Sequence, residues 1–102
     1  MSIKKQYLKS KPVCKTTFRV SKESAGPAKS IYLAGEFNRW DIQATPLKKQ
    51  KNGDFTVTME LETGKTYQFR YLIDGTRWES DLEADTFVHS EYGDCDNSCV
   101  VI

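Results

Sequence analysis

Hydrophobic and polar residues alternate with a period of two along most of the chain. Phe55, Val57, Met59 and Leu61 are separated by Thr56, Thr58 and Glu60, the pattern of a strand that buries one face. Tyr67, Phe69, Tyr71 and Ile73 alternate in the same way with Gln68, Arg70 and Leu72, and Ile31, Leu33 and Gly35 with Tyr32 and Ala34. Cys14, Thr16, Phe18 and Val20 form an earlier run, and Val100 with Ile102 a terminal one. No segment carries a helical stripe. The segment from Ser80 to Asp96 is irregular and acidic, and is expected to fold as a loop against the rest, with a short strand near Thr86–His89.

Turn residues punctuate these runs. Ser24-Ala25-Gly26-Pro27 separates the first two. Asn52-Gly53 is the strongest hairpin signal, since this pair accepts positive φ at both central positions. Thr63-Gly64-Lys65 and Asp74-Gly75-Thr76 supply further turns. The lysines from Lys48 to Lys51 read as a solvated hairpin tip that discourages edge pairing. About seven short strands at this spacing predict an all-β antiparallel sandwich.

Composition narrows the functional classes. The chain has 102 residues, 38% hydrophobic and 12% aromatic, which fits one folded domain with a modest core. A net charge of +1 gives no global field toward nucleic acid or a membrane. Basic residues collect near the start, at Lys4, Lys5, Lys9 and Lys11, so residues 1–11 are expected as a flexible basic arm and 12–102 as the domain. The start has no apolar signal-peptide core, and a cytoplasmic location is expected. Cys14 shares the phase of Phe18 and reads as a buried thiol. Cys95 and Cys99, with His89 nearby, fall short of the four ligands of a structural zinc site, so neither metal nor other cofactor is expected. His89 lacks a nucleophile motif. Asp81, Glu83 and Asp85 could in principle pair for acid–base work, but no cleft is predicted around them, and catalysis is not expected.

Two tryptophans stand out. Trp40 and Trp78 each follow a strand pattern and a polar turn. An indole suits the apolar face of a sugar ring, and if Phe69, Tyr71 and Ile73 face the core, Arg70 must face outward. Periodicity alone leaves two readings equally open: an aromatic binding platform, or plugs at the ends of the sandwich.

The motifs resemble those of carbohydrate-binding module family 48, the isoamylase N-terminal (early set) domains, and the glycogen-binding domain of the AMP-activated protein kinase β subunit. Gly35-Glu36-Phe37-Asn38-Arg39-Trp40 is similar to the Gly-x-Phe-Asn-x-Trp signature. Thr45-Pro46-Leu47, Asn52 to Phe55, Leu61 to Gly64, Tyr67 to Gly75 and Asp96 to Val101 follow in the family's order, so the resemblance spans Phe18 to Ile102. It implies an immunoglobulin-like sandwich of about seven to eight strands that binds α-1,4-glucans such as glycogen or starch without catalysis. Trp40 and Trp78 would then be the stacking pair, and Arg70 and Asn97 the hydrogen-bonding residues, Arg70 standing where the kinase domains carry lysine. Tyr92 falls near a ring-clasping leucine position and Asp94 near a sugar-contacting threonine. One extra residue precedes Trp78. The alternative role is a structural or docking domain for a glucan-branching or debranching enzyme.

Overall fold

The computed structural model describes residues 2–81, 84–89 and 96–102. Two antiparallel sheets pack face to face as a sandwich, as the alternation predicts. The first sheet contains β1 (Ser2–Tyr7), β2 (Val13–Val20), β5 (Phe55–Glu62) and β4 (Lys48–Lys49), in that spatial order. The second contains β3 (Ile31–Gly35), β6 (Thr66–Ile73), β9 (Asp96–Val101) and β8 (Thr86–His89), with β7 (Arg77–Glu79) pairing the far end of β6. A single helical turn, α1 (Lys22–Ala25), follows β2, and a 3-10 turn over Glu36–Asn38 follows β3.

The core is the set of inward positions that the period of two marks out. Phe18 and Val20 of β2, Ile31 and Leu33 of β3, Phe69 and Tyr71 of β6 and Val100 of β9 are fully buried. Phe69 stacks edge-on against Phe18 and Tyr71, with centroids 5.1 and 5.7 Å apart, a preferred geometry for aromatic pairs. Cys14 is buried in this phase, as expected.

The chain departs from the sequence reading in two places. Ser2–Tyr7 is not a free arm but an edge strand, pairing in register from Ser2↔Arg19 to Tyr7↔Cys14. Its lysines are suited to an edge; Ile3 packs on the core, and Lys5 Nζ reaches Asp85 at 2.6 Å. Asn52-Gly53 does not form the two-residue turn. Gly53 has φ 95° but Asn52 stays at negative φ, and the hydrogen bonds Gly53 N–H to Gln50 O and Gln50 N–H to Asp54 O close a three-residue loop. The Asn52 side chain selects it, since its Oδ1 accepts the Asp54 N–H at 3.0 Å and its amide donates to the Asp54 carboxylate, a local bond that competes with the tighter turn. The doubly left-handed turn occurs instead at Asp74 and Gly75, with φ 52° and 72°. The acidic segment packs against the sandwich at Asp81 and forms a short strand at Thr86–His89, as expected; Asp81 is fully buried, its N–H donating to Ser98 Oγ at 2.6 Å and its carboxylate accepting from the Tyr71 hydroxyl at 3.2 Å.

Candidate functional site

Strand register places three of the six predicted site residues on one face. On β6, Phe69, Tyr71 and Ile73 point into the core, so Gln68, Arg70 and Leu72 point away from it. Directly paired residues share a face. The pairs Ala34↔Arg70, Tyr32↔Leu72, Leu72↔Trp78 and Gln68↔Cys99 therefore bring Tyr32, Ala34, Trp78, Cys99 and, two residues before Cys99, Asn97 to the outer face beside Arg70.

This face is partly dry. Leu72 is only 4% exposed although it points away from the core, flanked by Tyr32 on one side and Trp78 on the other. Trp78 itself is 44% exposed. It caps an apolar floor and still offers area to a ligand. Asn97 is nearly buried and donates from Nδ2 to Gln68 Oε1 at 3.0 Å. The Gln68 N–H in turn donates to Glu36 Oε1 at 2.6 Å. Two side-chain amides are thus held side by side between Arg70 and the C-terminal strand. Burial, and secondarily the Glu36 carboxylate, push the neighbouring Cys99 thiol above its usual range, so it stays protonated and inert at neutral pH.

Trp40 arrives by a different route. Gly35 ends β3 where only glycine fits: a Cβ there would lie 2.5 Å from Gln68 O and 2.8 Å from Phe69 Cβ. The turn that follows is tied by Asn38, whose Oδ1 accepts the Gly35 N–H and whose amide donates to Leu33 O and Thr45 Oγ1. Phe37 packs inward against Phe18 and Tyr67. Arg39 and Trp40 then adopt φ 58° and 59°, a left-handed pair that is unusual for bulky side chains and concentrates at functional sites. The Trp40 N–H closes the turn on Gly35 O at 2.8 Å, leaving the residue 37% exposed. Gly35 pairs with Phe69 and Trp78 with Leu72, so the two tryptophan-bearing segments are offset by about 10 Å along β6 at about 3.3 Å per residue.

Tyr92 and Asp94 lie outside the described residues, as does Cys95. Gln68, Glu36 and Tyr32 were not among the residues singled out from sequence. The signal for Gln68 was present, because its alternation with Phe69 already placed it on the face of Arg70.

The sequence model described as the glycogen recognition site of AMP-activated protein kinase matches residues 18–102. The chain belongs to this family. No curated protein matches it. The glycogen recognition family is a group of carbohydrate-binding modules, and its match covers every described strand except β1 and the first five residues of β2, Val13–Thr17.

Proposed function

We propose that the outer face of the second sheet binds α-1,4-linked glucans, with glycogen, starch or malto-oligosaccharides as ligands and no chemistry performed on them. The observation that carries this reading is the register that brings Trp78, Arg70 and Asn97 onto one face, beside a turn that holds Trp40 exposed in a strained conformation. Trp40 and Trp78 stack on glucose rings, releasing water from amphipathic surface. Arg70 donates from a planar fork, and Asn97, oriented by Gln68, orders the hydroxyls. Tyr92 and Asp94 are further sugar-contacting candidates on the family motif alone. The module works in the cytoplasm, in keeping with the free thiols of Cys14 and Cys99, and serves a glucan-branching or debranching enzyme as an early set domain.

The test is a titration of the full chain with maltoheptaose and β-cyclodextrin, followed by tryptophan fluorescence and calorimetry. Saturable binding with Kd between about 1 μM and 1 mM, or about 4–8 kcal/mol, that is unchanged by 0.5 M salt supports the reading. A folded protein that gives no response at millimolar glucan overturns it and leaves a docking role for this face.

A further inference from the structure

A second concave feature lies in the region of the first sheet, away from the face just described. Lys22 of α1, Lys49 of β4, Lys51 and Asn52 of the β4–β5 loop, Gly53 and Phe55 line a cleft of about 260 Å³. Three lysines line it and no carboxylate does. Two acids adjoin lining residues in sequence: Glu23, exposed after Lys22 and not part of the lining, and Asp54, whose Oδ2 accepts from Arg19 Nε and Nη2 at 2.8 Å and whose Oδ1 accepts the Lys22 N–H at 2.9 Å. Among the described residues, none of the three lysines takes part in an ion pair. The cleft therefore presents positive charge with no carboxylate in its lining to neutralise it.

Two of the lysines are pre-positioned. The stem of Lys22 lies on Gly53, where an added Cβ would come within 2.9 Å of Lys22 Cδ and 3.0 Å of its Cγ. Lys49 Nζ stands 6.0 Å from the centroid of the Phe55 ring, within reach of a cation–π contact. Held stems lose less side-chain entropy when a ligand arrives. Phe55 is buried beneath Lys49 and the Asn52 side chain is bonded to Asp54, so the cleft offers a ligand its three ammonium groups and the apolar stems of Lys22 and Lys49.

We propose that this cleft binds a small phosphate monoester, its dianion held by Lys22, Lys49 and Lys51 and its organic portion resting along the held stems of Lys22 and Lys49. The volume is below the range typical of drug-sized ligand pockets, which fits a monophosphorylated sugar better than a nucleotide polyphosphate. Three ammonium groups match a compact dianion, which needs point charges more than a planar fork. The site is independent of the glucan face and does not rest on it.

The experiment is a two-dimensional amide NMR titration of the full chain with glucose 6-phosphate, glucose and inorganic phosphate. Saturable shifts centred on the Asn52 and Gly53 amides are expected with the ester at Kd near or below 1 mM, on the order of a weak metabolite site. Inorganic phosphate should bind more weakly and glucose not at all. The exposed double variant Lys49→Gln/Lys51→Gln, checked for an unchanged melting temperature, should weaken the ester at least tenfold, whereas Trp78→Ala should leave it unaltered. Linear, non-saturating shifts spread over all lysines, or wild-type affinity in the double variant, overturn the proposal. So does equal affinity for inorganic phosphate, or tighter capture of an acidic or phosphorylated peptide at the same amides.

Discussion

Asn38 shows how one side chain can govern a distant ring. Its three hydrogen bonds to Gly35, Leu33 and Thr45 hold the turn that keeps Trp40 left-handed. Asn38→Ala should cost about 1–3 kcal/mol of stability, because partly buried backbone partners lose their mates. It should also weaken glucan binding although the residue touches no proposed ligand, which thermal melts and the maltoheptaose titration would separate. Gly35→Ala is expected to be more damaging still, by about 3 kcal/mol or more, since the new methyl group meets backbone and a strand Cβ with no room to yield. Truncating the rings themselves should behave oppositely. Trp40→Ala should melt near wild type and Trp78→Ala, which uncovers Leu72, somewhat below it, by about 1–2 kcal/mol, yet each should lose at least tenfold in glucan affinity, about 1.4 kcal/mol or more.

Elements are where the sequence was most and least legible. Strand phase identified the inward residues of β2, β3, β5 and β6, because a period of two is imposed by backbone geometry and survives any tertiary context. It also placed Arg70 on the outer face. Turn chemistry was less reliable, since Asn52-Gly53 and Asp74-Gly75 carry similar propensities and their outcomes differ. At Asn52-Gly53 the Asn52 side chain, bonded to Asp54, selects the longer loop; at the other turn a partner outside it decides, since Asp74 accepts the Lys29 and Ser30 N–H groups at 2.8 and 2.9 Å, anchoring the tight turn to the start of β3. These backbone bonds hold the Asp74 carboxyl below the usual carboxylate range, and the Lys22 N–H with Arg19 does the same for Asp54. A carboxyl depressed in the folded state contributes stability that is present above its unfolded value near 4 and lost as pH falls through the folded value. The melting temperature should thus drop steeply below about pH 4, and Asp54→Asn/Asp74→Asn should flatten that acid limb, measurable by denaturant titration across pH 2.5–6.

At the scale of the whole molecule, the N-terminal stretch is part of the sandwich. Its lysine-rich composition hid it, because the alternation that marks a strand is weak when only Ile3 is strongly apolar. Only long-range partners reveal the role: β2 alongside, Asp85 across from Lys5 at 2.6 Å, and Ile102 O accepting the Tyr7 hydroxyl at 3.3 Å. Removing residues 1–8 should lower stability by about 1–3 kcal/mol and the melting temperature by several degrees, at about 4–8 °C per kcal/mol for a domain of this size. The Tyr7–Ile102 contact has a mechanical consequence. Tyr7 and Ser2 are opposite ends of β1, about 17 Å apart at the usual rise, so a force applied between Ser2 and Ile102 runs nearly along that strand. The load then falls on the β1–β2 ladder in shear, and its hydrogen bonds must give way together instead of unzipping one by one.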